Sequence, residues 1–222
     1  TIRRQLNPLL TGASITAVDS HGSGKFSPAL DAAGATITGI GRRGKYLLFS
    51  LDDGRELVAH LGMTGSFSVV DAPGDGEPDC ANHGPHTRAV WALDDSRYLV
   101  FNDTRRFGRL RVVDAGDYGE IPTLHHMGPE PLADDFTGAS LHAAVKASSR
   151  PIKTQLLSQR PVSGVGNIYA DEALFLAGID PRSRRVGRER CDALAGTIKA
   201  LLQAGIDNGG TTLRDYVNAE GD

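Results

Sequence analysis

The stretch that decides the fold is YLLFSLDDGRELVAHL, residues 46–61. Two apolar runs flank the residues Asp52, Asp53 and Gly54, a turn sequence that reverses the chain between antiparallel strands. RAVWALDDSRYLVF, residues 88–101, repeats the arrangement. Successive hairpins of this kind predict an antiparallel β-sandwich or barrel over residues 13–114.

Helical patterns lie on both sides of this region. Residues 1–12 carry apolar side chains at helical spacing and end at Gly12, which predicts a leading helix. Further helices are predicted at residues 141–146, 152–157, 167–177 and along the amphipathic stretch 191–206. Because the strands precede most of the helices, the fold class is α+β. The predicted domains are a β-sandwich at 1–114, a linker at 115–130 and a helical domain at 131–222.

Composition sets limits on the class of protein. The chain has 222 residues, 40% of them hydrophobic, which is enough for a sizeable core. Its longest apolar runs are far shorter than the ~20 residues of a membrane span. The two cysteines, Cys80 and Cys191, are too few for a thiolate zinc site. A folded protein of the reducing cytoplasm is expected, and no feature predicts an oligomer, so we expect a monomer.

The charge pattern is more informative than the net charge of −3. Basic residues cluster in three places along an acidic chain. They are Arg42, Arg43 and Lys45; Arg105, Arg106, Arg109 and Arg111; and Arg182, Arg184, Arg185, Arg188 and Arg190. Each cluster alone fits a solvated surface, and the three together also fit a local anion-binding surface.

The segment PVSGVGNIYADEALFLAGIDP, residues 161–181, carries the strongest chemical signal. Gly164 and Gly166 allow a tight turn, and Asn167 follows in the first turn of a predicted helix, whose N–H groups point outward. This arrangement is suited to gripping a phosphate. The alternative is that Asn167 only caps its helix.

The same segment resembles the helix-two-turn-helix signature of the formamidopyrimidine-DNA glycosylase and endonuclease VIII family, which repairs oxidised bases. The resemblance covers nearly the whole chain. It extends to TIRRQLNPLL, GRRGKYLLF, HLGMTG, NDTRRFG, MGPEPL and NGGTTLRDYVN, in that order. It implies an N-terminal β-sandwich with a leading helix and a C-terminal helix-two-turn-helix domain, and it is closest to formamidopyrimidine-DNA glycosylase.

The resemblance also assigns roles to individual residues. Met63, Arg105 and Phe107 match the residues that fill the void left by an extruded base, two as apolar wedges and one as a hydrogen-bond donor to the orphaned base. The alternative for Met63 and Phe107 is a place in the core. Their position in glycine-flanked turns favours the wedge.

Other matches fall on predicted DNA contacts. Lys45 matches a lysine that binds phosphate near the damaged nucleotide and assists elimination, and a purely binding role is the alternative. The remaining predicted contacts to the DNA backbone are His60, His86, Lys153 and Asn167; the two histidines could instead be structural. Thr212 and Arg214 match the loop that covers the extruded base.

The family's nucleophile is an N-terminal proline followed by a glutamate, and neither stands at the start of this sequence. A segment of about seven residues before Thr1 and a four-cysteine zinc finger after Asp222 are therefore expected in a complete protein. The chain as given is expected to be inactive and to hold no cofactor, and the complete protein is expected to bind zinc.

The implied function is a bifunctional DNA glycosylase and AP lyase that excises oxidised purines, such as 8-oxoguanine and formamidopyrimidines, from duplex DNA. In a bacterium it would be cytoplasmic and associated with the nucleoid. If Thr1 and Asp222 are natural ends, the alternative is a non-catalytic member that binds damaged or abasic DNA. An unrelated interaction protein with a sandwich and helices is a more remote alternative.

Overall fold

The computed structural model describes residues 1–72 and 77–209. These residues fold as two compact units, the first containing residues 1–117 and the second beginning at Tyr118. Each unit has its own hydrophobic core.

The first unit is built on two antiparallel sheets, which confirms the predicted sandwich. Its strands are β1 (Ile15–Ser20), β2 (Ile37–Arg43), β3 (Tyr46–Leu51), β4 (Arg55–His60), β5 (Gly65–Asp71), β6 (Thr87–Leu93), β7 (Arg97–Asp103) and β8 (Arg109–Asp114). One sheet has the order β1-β6-β7-β5 and the other β2-β3-β4-β8. Both hairpins predicted from the sequence are present, as β3–β4 and β6–β7.

Aromatic rings from both sheets meet in the core of this unit. The ring of Phe67 lies 5.4 Å from that of Phe49 and 4.9 Å from that of Phe101, measured between centroids. Trp91 completes the group at 6.1 Å from Phe67. Alternation along the strands places these side chains inward, so burial of the rings fixes the register of both sheets.

The leading helix α1 (Ile2–Leu10) belongs to the first unit and confirms the prediction. Leu6 and Leu10 are buried in the sandwich core. The Ile40 N–H donates to Asn7 Oδ1 at 2.7 Å, which ties the helix to β2. Two short 3-10 helices, Ser27–Ala32 and Cys80–His83, complete the described part of this unit.

The second unit is helical. Its helices are α2 (Pro122–His125), α3 (Gly138–Lys146), α4 (Ile152–Leu157), α5 (Asn167–Leu176) and α6 (Arg188–Asp207). The short helix α2 lies in the segment predicted as linker, and it begins at a proline, which is favoured in a first helical turn. The structure begins α3 at Gly138, three residues before the predicted start, because Thr137 and Ser140 form a reciprocal capping box. Among the described residues, no helix combines the length and apolar character that crossing a membrane requires.

Candidate nucleic-acid interface

One end of the β2-β3-β4-β8 sheet brings three basic residues together. Lys45 lies in the turn that joins β2 to β3, where Arg43 pairs with Tyr46. Tyr46 in turn pairs with His60 on β4, and His60 pairs with Arg109 on β8. The predicted contacts Lys45 and His60 are therefore neighbours, and Arg109 joins them through a strand pairing that the sequence alone could not supply.

The surroundings of Lys45 and His60 favour the neutral forms of both side chains. Burial, together with the positive charges of Lys45 and Arg109, lowers the pKa of His60. Partial burial also lowers the pKa of Lys45, although the residue as a whole is exposed. The Gly62 N–H donates to His60 Nδ1 at 3.1 Å, so Nδ1 is the acceptor and the ring proton sits on Nε2. A neutral His60 can thus donate one hydrogen bond, as a phosphate oxygen requires.

This arrangement predicts a pH dependence of folding. The pKa of His60 in the folded protein lies below its ordinary value of 6.5, so the unfolded chain binds this proton more readily than the folded protein does. The stabilisation of the folded protein is therefore fully present above pH 6.5 and is lost as the pH falls below 6.5. Protonation also breaks the bond from the Gly62 N–H. We expect His60→Gln to lose less stability than wild type between about pH 7.5 and about pH 5.5 in urea unfolding. His86→Gln, which alters an exposed histidine, should behave as wild type. Parallel losses for wild type and His60→Gln would contradict the assignment.

Met63 and Phe107 are among the most exposed large apolar side chains of the first unit. Met63 is 67% exposed and Phe107 is 49% exposed. The guanidinium of Arg105 lies over the Phe107 ring, 4.8 Å from its centroid. The structure therefore rules out a core position for Met63 and Phe107. All three residues of the predicted void-filling set lie on adjoining turns, which we call the Met63 turn (residues 61–65) and the Phe107 turn (residues 104–108).

Two glycines let the backbones of these turns touch. Gly62 has φ +68°, and a Cβ placed on it would lie 2.7 Å from the Phe107 carbonyl carbon and 2.8 Å from the Gly108 nitrogen. On Gly108, a Cβ would lie 2.9 Å from Asp103 Oδ2 and 2.9 Å from the Phe101 ring. No larger residue fits either position without moving backbone or buried groups. The two wedge residues are consequently held at a fixed separation.

Several residues that the sequence analysis did not single out support the two turns. The buried Asp103 carboxylate accepts hydrogen bonds from Thr64 Oγ1 at 2.6 Å and from the Gly108 N–H at 2.7 Å. Lys25 Nζ donates to the carbonyl of Arg106, a residue with φ +57°. Arg88 is buried and donates to the carbonyls of Asp103, Pro85 and Thr87. The bonds from Lys25 to Arg106 and from Thr64 to Asp103 join distant parts of the chain, so the sequence alone did not reveal them.

The turn before α5 is organised by one buried side chain. Gln159 Oε1 accepts from the Gly164 N–H at 2.8 Å, and its Nε2 donates to the Val165 carbonyl at 2.8 Å. Gly164 has φ +78°, which a glycine adopts without strain. The sequence analysis identified the glycine turn but not Gln159, which shapes it.

Asn167 is the first residue of α5, and its side chain is exposed. The helix cap is Gly166, and no side chain hydrogen-bonds as a cap, so Asn167 does not serve as one. The first helical bond runs from the Ala170 N–H to the Gly166 carbonyl at 2.9 Å. The N–H groups of Asn167 and Ile168 therefore have no acceptor within the helix, as expected where an anion binds.

The remaining predicted contacts have mixed outcomes. Lys153 Nζ forms an ion pair with Asp171 on α5 at 2.8 Å, so a phosphate would have to compete with this carboxylate. His86 is exposed, and its carbonyl accepts from the Asp103 N–H at 2.9 Å.

Arg182 pairs with Asp180, and Arg188 pairs with Asp192, so these carboxylates neutralise part of the third basic cluster. Thr212 and Arg214 lie outside the described residues.

The described side chains that could ligate a metal ion are scattered through the fold. Within residues 1–72 and 77–209, no group of three or more His, Cys, Asp or Glu side chains could hold a metal ion. Burial and the Asp19 carboxylate raise the pKa of the Cys80 thiol to about 12. Burial also raises the pKa of Cys191. Both cysteines are thus protonated thiols in separate units and do not fit a zinc site.

Comparison with known proteins gives concordant matches. Residues 1–110 match the family described as the formamidopyrimidine-DNA glycosylase N-terminal domain, and residues 127–217 match the formamidopyrimidine-DNA glycosylase H2TH domain. The formamidopyrimidine-DNA glycosylase of Deinococcus radiodurans is 41% identical over an alignment of 226 positions that covers 98% of this chain and 76% of that protein.

Solved structures agree with these matches. The MutM (Fpg) protein of Thermus thermophilus has a TM-score of 0.87 and 42% identity, over 100% of this chain and 80% of that one. Lactococcus lactis Fpg (MutM), solved with DNA containing Fapy-dG, has a TM-score of 0.82 and 28% identity, over 100% of this chain and 82% of that one. The chain therefore belongs to the formamidopyrimidine-DNA glycosylase family, whose members are DNA glycosylases.

Proposed function

We propose that this protein is a bifunctional DNA glycosylase and AP lyase that excises oxidised purines from duplex DNA after extruding them. The observation that carries the proposal is the exposure of Met63 and Phe107 on two turns in direct contact. Single exposed apolar side chains are common on protein surfaces, whereas Met63 and Phe107 are exposed on adjoining turns whose backbones are in close contact. A DNA-opening protein needs such side chains, because apolar wedges between base steps offset the cost of unstacking.

The surrounding residues fit the same reaction. Arg105 can turn from the Phe107 ring to the edge of the orphaned base, since its guanidinium is exposed. Lys45 and His60 supply hydrogen-bond donors for phosphates at the end of the sheet. Asn167 and the first N–H groups of α5 supply another phosphate site in the second unit.

The choice of oxidised purines rests on the resemblance and on a related protein. The Lactococcus lactis structure contains DNA with Fapy-dG, an opened purine. In the proposed reaction an N-terminal proline amine bonds to C1′ while the bond from C1′ to the base breaks. The resulting Schiff base serves as the electron sink for strand cleavage by elimination. In this proposal Lys45 is an accessory group for the elimination.

The proposal is tested on the native protein, with its N-terminus determined by sequencing. Incubated with a duplex containing 8-oxoguanine and treated with borohydride, it should form a covalent adduct and cleave the strand. If the native protein binds abasic duplex but forms no adduct and cleaves nothing, the enzyme proposal fails and the non-catalytic alternative is supported.

Asn167 allows a separate test of the proposed DNA contact. Asn167→Ala removes a side chain that has no capping role, so helix α5 should remain intact. We expect affinity to fall about tenfold for damaged and undamaged duplex alike, because a phosphate contact positions the DNA without reading it. Fluorescence anisotropy over a salt series measures both affinities. Gln203→Ala on α6, whose side chain pairs with Asp207, is the control and should bind as wild type. A loss confined to damaged duplex would contradict a phosphate contact.

A further inference from the structure

The two wedge turns share a single buried anchor. Asp103, the last residue of β7, is fully buried, and each of its carboxylate oxygens accepts one hydrogen bond. Oδ1 accepts from the Thr64 hydroxyl, next to Met63, and Oδ2 accepts from the Gly108 N–H, next to Phe107. One carboxylate thus links the residue that follows Met63 to the residue that follows Phe107.

The anchor extends to the other predicted contacts of this unit. The Arg105 N–H donates to Thr64 Oγ1 at 3.1 Å, so the Thr64 hydroxyl links Asp103 to the residue that faces the orphaned base. The Asp103 N–H donates to the His86 carbonyl, and its carbonyl accepts from Arg88 Nε at 3.0 Å. The backbone N–H and carbonyl of Asp103 and both of its carboxylate oxygens therefore form hydrogen bonds with residues at or near the predicted DNA contacts.

We propose that Asp103, acting through Thr64, is a positioning residue that presets the Met63 and Phe107 turns for base extrusion. This inference rests on the proposed function, because it assigns the preset geometry to the wedges. Asp103 is fully buried, so its side chain is not available to contact DNA directly. Its contribution is to restrict the motions of the two turns in the free protein, so that less conformational entropy is lost when Met63 and Phe107 enter the duplex.

Thr64 provides the sharpest variants. Thr64→Val keeps the shape of the side chain but removes the hydroxyl, which leaves Asp103 Oδ1 and the Arg105 N–H without their partner. Thr64→Ser restores the hydroxyl and loses only a methyl group. Asp103→Asn is a stronger second variant, because an amide has one acceptor oxygen for two donors.

The experiment uses two readouts on the same proteins. Hydrogen exchange of the Arg105 and Gly108 amides in the free protein reports whether the turns are held. Fluorescence of 2-aminopurine beside an abasic-site analogue, together with anisotropy on undamaged duplex, separates extrusion from binding. We expect Thr64→Val to accelerate exchange and to reduce extrusion about tenfold, with duplex affinity within about twofold of wild type. Thr64→Ser should resemble wild type in all three.

The outcomes separate the two levels of the proposal. If Thr64→Val extrudes the base as well as wild type does, although its amides exchange faster, the positioning role is overturned. The same holds if Thr64→Ser loses as much extrusion as Thr64→Val. Unchanged exchange in Thr64→Val and Asp103→Asn would overturn the anchor itself. If wild type gives no extrusion signal while the exchange pattern is as expected, the proposed function fails and the anchor remains a feature of the fold.

Discussion

Phe107→Ala should abolish most base extrusion while leaving duplex binding nearly intact. The Phe107 ring is 49% exposed in the free protein, so its removal leaves no cavity in the core. Full burial of an exposed Phe side chain is worth about 1.5–3 kcal/mol, and insertion between base steps would bury only the half of this ring that is exposed. We therefore expect the extrusion equilibrium to fall about three- to tenfold, as measured by 2-aminopurine fluorescence. Met63→Ala should act in the same direction.

The matched control is Phe175→Ala. Phe175 lies on α5, is 82% exposed, and has no predicted role. Its replacement removes more exposed aromatic surface than Phe107→Ala does and should change neither extrusion nor binding. Equal losses of extrusion and of affinity for undamaged duplex in Phe107→Ala would indicate a general contact rather than a wedge. A loss in Phe175→Ala of the same size would show that the assay responds to exposed aromatic surface in general.

The sequence predicted the local features of this fold well. The turn residues of the β3–β4 and β6–β7 hairpins identify both strand pairs, because the turn geometry is set by adjacent residues. Helix α5 follows the same logic, since its glycine turn and apolar spacing lie within one short segment. The wedge role of Met63 and Phe107 was predicted chiefly from the family resemblance, with turn glycines as support, and the exposure of both side chains fits that prediction.

The supporting groups could not be predicted in this way. Lys25 and Arg106 are distant in the chain, as are Thr64 and Asp103, and their contacts depend on how the strands pair. A buried aspartate in NDTRRFG looks like any other polar turn residue until β5 and β7 are placed side by side. Arg88 is similar, because nothing in the sequence distinguishes a buried arginine from one on a solvated surface.

Gly62→Ala should strongly destabilise the candidate interface. The backbone at Gly62 has φ +68°, which costs an L-residue about 1–2 kcal/mol. In addition, the new Cβ would lie 2.7 Å from the Phe107 carbonyl carbon and 2.8 Å from the Gly108 nitrogen, and both atoms belong to backbone that a rotamer change cannot move. We expect the free energy of unfolding to fall by about 2–5 kcal/mol, the sum of backbone strain and overpacking.

The chain offers a control with the same backbone strain and no collision. Gly54, in the turn between β3 and β4, has φ +85°, and a Cβ there would meet nothing within 4 Å. Gly54→Ala should therefore lose only the strain component of about 1–2 kcal/mol in urea unfolding, with normal extrusion. Gly62→Ala should lose more stability and also extrude poorly, since its methyl group forces the Met63 and Phe107 turns apart. Equal losses of stability in the two variants would mean that the turns can separate at no cost, and the fixed spacing of the wedges would then have no physical basis.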